Sequence, residues 1–260
     1  MASSVIDQSR WIRTFRPSPG SPLRLFCFPF AGGSASYFLP YSTALSPRFE
    51  VHAIQYPGRQ ERRREPCIED IGALADRVLG AIAEATTRPY AFFGHSMGAV
   101  VAYEVARRLR RDGHPAPRWL FVSGRRAPSR HRPEAVYRRD DSGLVAELRE
   151  LGGTDPRWLD DAELLATILP PIRSDYRAIE TYRHVPGPPL DCPVTAMTGD
   201  RDPYATVAEV AAWQEHSSAS FDLRLFGGGH FFIDPYRQEV IDIISGTLDE
   251  VLTPTFANRS

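Results

Sequence analysis

Short, continuously apolar segments alternate along the chain with longer segments whose apolar residues recur at helical spacing. The apolar segments predict buried strands at residues 23–28, 49–55, 90–93, 119–123, 193–197 and 221–226. The helically spaced segments predict helices at residues 37–45, 68–86, 97–111, 207–216 and 238–252. Strands that are apolar throughout and alternate with helices are typical of a parallel sheet covered by helices on both faces. The pattern therefore predicts an α/β fold with a mostly parallel sheet.

The alternation stops between residues 125 and 189 and resumes with the strand predicted at 193–197. Within this interval the sequence predicts helices at residues 144–151, 159–169 and 172–182, separated by Gly-Gly, Asp-Pro and Pro-Pro breaks. We interpret residues from about 128 to 189 as a helical insertion within a single domain that spans residues 1–260. The apolar stripe of this insertion is compatible with ordinary core, but we expect it to be a lid that lines an acyl pocket.

Composition and charge exclude several classes of protein. With 42% hydrophobic and 24% charged residues, the 260-residue chain has the composition of a soluble globular protein. A formal net charge of −1 provides no general attraction for nucleic acid or anionic lipid, so we expect neither as a partner. The sequence has no signal-peptide pattern, no segment of transmembrane length and only three scattered cysteines. These features predict a cytoplasmic protein without a disulfide framework or a metal site.

All 31 basic residues are arginine. Two arginine clusters, at residues 59–64 and 125–139, are compatible either with an acidic protein partner or with an ordinary solvated surface. Because the whole composition favours arginine, these clusters do not by themselves identify a binding surface.

One segment combines a predicted strand, a tight glycine turn and a helix. The sequence Gly-His-Ser-Met-Gly at residues 94–98 follows the apolar residues 90–93 and leads into the amphipathic helix at 97–111. In this layout, called a nucleophile elbow, a serine hydroxyl is held up at the end of a sheet. We predict that Ser96 is a catalytic nucleophile; the alternative is a glycine-rich turn without chemistry.

A serine nucleophile needs a general base, because the pKa of its hydroxyl lies far above neutrality. Of the seven histidines, His230 stands in the glycine-rich loop that follows the strand predicted at 221–226. Such a loop can bring an imidazole to a neighbouring strand end, so we predict that His230 is the base. A loop histidine that only caps backbone carbonyls is the alternative. His95 adjoins Ser96, but consecutive side chains diverge at a sharp turn.

The base in turn needs a carboxylate that holds its tautomer and favours the imidazolium. Asp200 and Asp202 both follow the strand predicted at 193–197, which gives the chain order serine, aspartate, histidine that α/β-hydrolases use. The spacing does not separate the two aspartates, and Asp200 is also compatible with a turn cap or an ion pair with Arg201.

The tetrahedral intermediate of acyl transfer needs backbone N–H donors. Met97, the residue after the predicted nucleophile, provides one such donor at the start of a helix. The loop Ala-Gly-Gly at residues 31–33 follows the first predicted strand and allows a second close approach of backbone to ligand. A flexible glycine turn is the alternative interpretation of this loop.

Six segments of the chain together resemble the stand-alone type II thioesterases of polyketide and nonribosomal peptide synthases. They are Phe-Pro-Phe-Ala-Gly-Gly-Ser-Ala at 28–35, Gln-Tyr-Pro-Gly-Arg at 55–59, Gly-His-Ser-Met-Gly at 94–98, Leu-Pro-Pro-Ile-Arg-Ser-Asp at 169–175, Thr-Gly-Asp-Arg-Asp at 198–202 and Gly-Gly-His-Phe-Phe at 228–232. The resemblance implies an α/β-hydrolase fold with an inserted helical lid. It implies a hydrolase that cleaves acyl thioesters from the phosphopantetheine arm of acyl or peptidyl carrier proteins and clears stalled or mis-primed acyl groups.

The resemblance also implies roles for particular residues. The catalytic acid falls on the second aspartate of Gly-Asp-x-Asp, which is Asp202, and the oxyanion donors fall on the N–H groups of Ala31 and Met97. We expect no metal or organic cofactor, a carrier protein as the partner, and a monomer. Phe30 departs from the family pattern, because many relatives carry a polar residue or histidine there, so the acyl preference could differ.

Three other functions compete with this interpretation. A general carboxylesterase or lipase would use the same triad, and a chain-releasing or cyclising thioesterase would act within a larger synthase. The latter is disfavoured because no carrier segment is attached within the 260 residues. A non-catalytic binding protein with this fold usually lacks a member of the triad, whereas all three positions are filled here.

Overall fold

The computed structural model describes residues 8–253 and centres on one seven-stranded sheet. The strands are β1 (Ile12–Arg13), β2 (Arg24–Phe28), β3 (Glu50–Ile54), β4 (Tyr90–His95), β5 (Leu120–Ser123), β6 (Val194–Gly199) and β7 (Phe221–Phe226). They lie in the order β1-β3-β2-β4-β5-β6-β7. Strand β1 is antiparallel to β3, and all the other neighbouring strands are parallel. The mostly parallel sheet that the sequence predicts is therefore present.

Helices cover both faces of this sheet. They are α1 (Gln8–Trp11), α2 (Leu39–Leu45), α3 (Ile71–Ile82), α4 (Met97–Arg111), α5 (Asp141–Leu151), α6 (Ala162–Thr181), α7 (Val207–Ala211) and α8 (Arg237–Leu252). Alternate strand residues belong to different cores because successive side chains point to opposite faces. Phe26 and Phe92 pack with α3 and α4 on one face, whereas Leu25 and Phe93 pack with α2 and α8 on the other.

The sheet places the predicted functional segments at one edge. Because β2 to β7 run parallel, their carboxyl ends lie at the same edge, which is where ligands bind in open α/β sheets. The predicted oxyanion loop follows β2, the predicted nucleophile follows β4, and the predicted acid and base follow β6 and β7. Segments that are far apart in the sequence can therefore meet around the end of the central strand β4.

The structure adds one strand and shortens some of the predicted helices. Strand β1, which the hydrophobic pattern does not predict, has only two residues and is too short to show a period. The helix predicted at 68–86 begins at Ile71, because the side chain of Asp70 caps it by accepting a hydrogen bond from the Ala73 N–H (2.7 Å). Its last part is a 3₁₀ helix at Ala83–Thr87.

One prediction for the insertion is wrong. The sequence predicts separate helices at 159–169 and 172–182, whereas the single helix α6 continues through the Pro170-Pro171 pair. Proline removes an amide donor from the helix, but its fixed φ is itself compatible with helical geometry. Buried residues lie on both sides of the pair and pack into an apolar cluster with α5. This tertiary packing holds the helix together where the local sequence favours a break.

Two expectations concern segments at the ends of the chain. The expected lack of a signal sequence rests on residues 1–7, and the sequence also predicts a frayed tail from Thr253 onward. Residues 1–7 and 254–260 lie outside the described residues. From residue 8 to residue 253, no helix combines the length and the apolar character needed to cross a membrane.

Replacing Gly98 with alanine tests how closely α4 packs against the sheet. A β-carbon at this position would lie 2.0 Å from the backbone carbonyl oxygen of Phe28, so the helix or strand would have to shift. We expect Gly98→Ala to lower the free energy of unfolding by about 2–4 kcal/mol, because interiors resist added volume. Urea denaturation followed by circular dichroism measures this change.

Gly246→Ala in α8 is the matched control. A β-carbon at Gly246 meets no atom within 4 Å, and alanine is the better helix former. We expect the free energy of unfolding to stay the same or rise by up to about 1 kcal/mol. Equal destabilisation by both substitutions would contradict the close approach of α4 to β2.

Candidate active site

Ser96 occupies the corner between β4 and α4 in a conformation that side-chain-bearing residues rarely adopt. Its φ is 53° and its ψ is −120°, a combination that is tolerated where the surroundings enforce it. The Ser96 N–H donates to the carbonyl of Ser123 on β5 (2.8 Å), and a β-carbon at Gly94 would lie 2.3 Å from the carbonyl oxygen of Gly98. The turn therefore needs glycine at these flanking positions, and it holds the serine at the carboxyl edge of the sheet.

Ser96, His230 and Asp202 form a continuous hydrogen-bonded series. The Ser96 Oγ lies 2.9 Å from the Nε2 of His230, and the Nδ1 of His230 lies 2.8 Å from the Oδ2 of Asp202. The side chains of His230 and Asp202 are only 4% and 0% exposed, so little water competes for these bonds. The other carboxylate oxygen of Asp202 accepts from the Tyr204 N–H (2.8 Å), which fixes the carboxylate plane. The structure thus brings together the three side chains that the sequence predicts.

The two aspartates after β6 have different surroundings. Asp200 is exposed, accepts a hydrogen bond from the Gly228 N–H (2.8 Å) and forms an ion pair with Arg201 (3.5 Å). Its carboxylate therefore braces the loop that carries His230, while the neighbouring Asp202 contacts the imidazole itself. Of the two alternative roles considered for Asp200, the pair with Arg201 is present, whereas the backbone N–H bonded to its carboxylate belongs to the loop after β7 and not to the turn that follows Asp200.

His95 is fully buried, and its imidazole bonds to a serine of β5 rather than to Ser96. Its Nδ1 lies 3.0 Å from the Oγ of Ser123, and its ring packs against that of His230 with centroids 5.1 Å apart. Burial, together with the proximity of His230, holds the pKa of His95 well below its ordinary value. The sequence predicts the divergence from Ser96 but not the packing of a neutral imidazole against His230.

The two predicted oxyanion donors lie beside this series. Met97 is the first residue of α4, and the first N–H groups of a helix have no partner within it. Ala31 lines the same cavity as Ser96 and His230. The two amides that follow it are already engaged, because Gly32 N–H donates to the carboxylate of Asp175 (2.8 Å) and Gly33 N–H donates to the carbonyl of Phe30 (2.9 Å).

A buried ion pair that the sequence did not lead us to predict holds this loop. Arg59, which follows β3, donates from Nη1 and Nη2 to the two carboxylate oxygens of Asp175 on α6, at 2.6 and 2.9 Å. Its Nη1 also donates to the carbonyl of Gly33 (3.0 Å). The two side chains are only 7% and 3% exposed. We name Arg59 and Asp175 the clamp.

The clamp joins three separate parts of the chain. Asp175 accepts from the Gly32 N–H as well as from Arg59, so the loop at 31–33, the segment after β3 and the insertion share one charged cluster. The contact between loop and insertion is close, since a β-carbon at Gly32 would lie 2.5 Å from the Cγ1 of Ile172. Bidentate arginine–carboxylate pairs are strong and directional, so the clamp fixes the loop that contains Ala31.

The cavity above Ser96 is narrow. Its volume is about 40 Å³, which is room for roughly three water molecules. The insertion contributes much of its wall, including Leu148, Leu151 and Tyr176, and the other lining residues lie at the carboxyl edge of the sheet. A larger groove of about 280 Å³ lies on the other side of Phe30, Ala31 and Thr154, which line both spaces. Phe30, the residue at which the sequence departs from the family pattern, therefore lies between the cavity and the groove.

Comparisons with known proteins agree with this geometry. Residues 23–248 match the family model described as a thioesterase domain. The chain is 49% identical over 249 residues to the thioesterase PikA5 of Streptomyces venezuelae, covering 94% of this chain and 87% of that one. It is 46% identical over 246 residues to a probable cadicidin biosynthesis thioesterase of Streptomyces griseus, covering 95% and 67% of the two chains.

The chain belongs to the thioesterase family. Its structure superimposes on that of the type II thioesterase BorB from the borrelidin biosynthetic cluster with a TM-score of 0.86, at 46% identity, covering 95% of this chain and 99% of that one. The resemblance to type II thioesterases and the α/β-hydrolase fold, both predicted from the sequence, are confirmed.

Replacing Asp175 with asparagine tests whether the clamp positions the loop at 31–33. The substitution keeps the shape of the side chain but removes the charge that holds Arg59, which leaves a buried cation without its partner. We expect kcat for thioester hydrolysis to fall about tenfold to a hundredfold, because small displacements of donor groups are costly, while KM changes little. Steady-state kinetics with an acyl-pantetheine thioester measure both constants.

Glu104→Gln provides the control for a general loss of stability. Glu104 is also a buried carboxylate paired with arginine, through Arg107 (2.9 Å) and Arg108, but it lies on α4 away from the loop. We expect this variant to lose stability while keeping its kcat. If both variants lost kcat in proportion to their loss of stability, the positioning role of the clamp would be refuted.

Proposed function

We propose that this chain is a serine thioesterase that hydrolyses acyl groups from the phosphopantetheine arm of acyl or peptidyl carrier proteins. The observation that supports it most directly is the bonded series from Ser96 through His230 to Asp202, within a chain of the thioesterase family. The relative named for cadicidin biosynthesis and the type II thioesterase from the borrelidin biosynthetic cluster support a role in a polyketide or nonribosomal peptide pathway. There the enzyme would clear stalled or mis-primed acyl groups.

The first half of the reaction transfers the acyl group to Ser96. The Oγ attacks the thioester carbonyl carbon as the Nε2 of His230 takes the hydroxyl proton, and Asp202 stabilises the imidazolium that forms. The tetrahedral intermediate then collapses by breaking its carbon–sulfur bond. The departing pantetheine sulfur takes the proton from His230, which leaves an acyl ester on Ser96.

The second half returns the enzyme to its starting state. A water molecule attacks the ester carbonyl and gives a proton to His230, and the bond between the acyl carbon and the Oγ of Ser96 then breaks. His230 passes the proton back to the serine oxygen, and the carboxylic acid leaves. In both halves the N–H groups of Ala31 and Met97 donate to the oxyanion. Every group that these steps require is supplied by the protein or by water, so the mechanism calls for no metal or organic cofactor.

The insertion at 128–189 acts as a lid in this proposal, within a single catalytic domain. Three observations support the assignment: its residues line the cavity above Ser96, its helix α6 carries Asp175, and the cavity is far smaller than the 300–1,000 Å³ typical of ligand sites. An acyl chain longer than a few atoms would need α5 or the segment after it to move. The expected monomeric state and cytoplasmic location remain predictions from the sequence.

Ser96→Ala tests the nucleophile. Without the hydroxyl no acyl-enzyme can form, so we expect hydrolysis of an acylated carrier protein to fall by at least about a thousandfold and labelling by a fluorophosphonate to disappear. Mass spectrometry of the carrier protein measures the loss of the acyl group. Ser218→Ala, at an exposed serine bonded to Leu190 (3.2 Å), is the control and should leave both properties unchanged. Turnover retained by Ser96→Ala would refute the assignment.

A substrate comparison separates the thioesterase from a general esterase. If the carrier and its arm contribute binding energy, kcat/KM for an acyl-carrier thioester should exceed that for the nitrophenyl ester of the same acid by at least about tenfold. The same initial-rate assay applied to both substrates gives this ratio. Preference for the aryl ester would favour the carboxylesterase alternative, and no labelling of Ser96 would favour the non-catalytic one.

A further inference from the structure

Arg125 places a cation in the wall of the cavity above Ser96. It lies two residues beyond the end of β5, at the carboxyl edge of the sheet, and it lines the cavity together with Ser96 and His230. Its backbone is fixed there, because the carbonyl of Arg125 accepts a hydrogen bond from the indole Nε1 of the buried Trp213 (2.8 Å). The mechanism proposed above gives this side chain no task.

The guanidinium of Arg125 has no hydrogen-bond or ion-pair partner in the part of the chain from residue 8 to residue 253, and its Nε is buried. Burial, and secondarily the positive charge of Arg126, lowers the pKa of Arg125 to about 9. Its neighbour is different: Arg126 donates to both carboxylate oxygens of Glu134, one of them at 2.9 Å, and to the carbonyl of Tyr204 (2.9 Å). A desolvated cation without a partner is costly, and in a cleft it indicates a functional site.

The carboxylates around the cavity are already engaged. Glu134 pairs with Arg126, and Glu180 accepts from the N–H groups of Val136 (3.0 Å) and Tyr137 (3.1 Å). Asp202 accepts from His230 and from the backbone. The N–H groups of Arg125 are therefore charged donors that the wall offers to a bound acyl chain.

The balance of charge determines which acceptor suits these donors. The carboxylates of Glu134, Glu180 and Asp202 lie close enough to favour the charged form of Arg125, whereas the positive charge of Arg126 disfavours it. A carboxylate on the acyl chain would add a negative charge to a site in which negative groups already outnumber positive ones. A neutral carbonyl oxygen accepts from the guanidinium without this repulsion.

We propose that Arg125 forms a subsite for the oxygen of short 3-oxoacyl groups, in preference to both fully reduced acyl groups and acyl groups that end in a carboxylate. This inference rests on the proposed function and names its substrate class. The small cavity supports the restriction to short acyl groups. Because only about 40 Å³ is available beside Ser96, only a few atoms can separate the thioester carbonyl from an oxygen that reaches Arg125.

Three pantetheine thioesters test the proposal: butyryl, acetoacetyl and malonyl. Acetoacetyl and malonyl have nearly the same shape and differ mainly in charge, while butyryl lacks the second oxygen. In the wild-type protein we expect kcat/KM, divided by the rate of hydroxide-catalysed hydrolysis of each thioester, to be highest for acetoacetyl. A higher normalised value for malonyl or for butyryl would overturn the proposal, and this comparison requires no variant to fold.

Arg125→Met removes the donors but keeps an unbranched side chain. We expect the ratio of kcat/KM for acetoacetyl to that for butyryl to fall about tenfold or more, as for the loss of a hydrogen bond from a charged donor. Arg125→Lys keeps one cationic donor and should restore part of the ratio. Because each ratio is compared with that of the wild type, differences in intrinsic reactivity cancel.

The remaining outcomes separate the subsite from other roles. An equal fall for acetoacetyl and butyryl would mean that Arg125 binds an amide oxygen of the pantetheine arm or supports the fold, and it would overturn the proposal. Arg224→Met, at an exposed position on β7, controls for loss of an arginine and should leave the ratio unchanged. If the wild-type protein hydrolysed none of the three thioesters, the proposed function itself would fail, whereas an unchanged ratio in Arg125→Met would refute only the subsite.

Discussion

The close approach of α4 to the strands beside it is the constraint on which the site depends. With only hydrogen at Gly94 and Gly98, the first turn of α4 packs directly against backbone from β2 and β4, and Ser96 is held at a φ of 53° between them. That conformation lifts the serine oxygen to the carboxyl edge, where the loops after β6 and β7 deliver Asp202 and His230. If the turn adopted an ordinary backbone conformation, the Ser96 Oγ would no longer lie within hydrogen-bond distance of the His230 Nε2. The buried His230–Asp202 pair could then not take the serine proton.

The clamp extends the same constraint to the insertion. Because Asp175 accepts from both Arg59 and Gly32, helix α6 is tied to the loop that contains Ala31. The second half of α6 is thus part of the catalytic frame, whereas α5 and the residues after it form the part of the cavity wall that is not held by this pair. Some arginines of the two sequence clusters have structural roles inside the protein, since Arg59 and Arg126 are buried and bonded within the chain. Neither arginine lies on a surface that could meet an acidic partner.

Local patterns were sufficient for strands β2 to β7 and for two candidate side chains, Ser96 and His230, but not for contacts between distant segments. Strands β2 to β7 are apolar enough to predict, and a serine in a glycine turn or a histidine in a glycine loop is visible locally. Asp200 and Asp202 are two residues apart in one loop, so the direction of each side chain depends on the turn and on the contact with Gly228. The spacing of residues in the sequence does not reveal these directions. The family resemblance, and not the local pattern, favoured Asp202. The clamp joins residues 116 positions apart, and the unbroken α6 depends on packing that outweighs a Pro-Pro signal.

The central claim is that Ser96 carries the acyl group between the two halves of the reaction. Rapid mixing of the protein with an acylated carrier protein, followed by an acid quench and peptide mass spectrometry, tests this directly. We expect a transient peptide that contains Ser96 and carries the mass of the acyl group, formed before the free acid accumulates. Release of the free acid with no acyl mass on that peptide, or with the acyl group on another side chain such as Cys67, would contradict it.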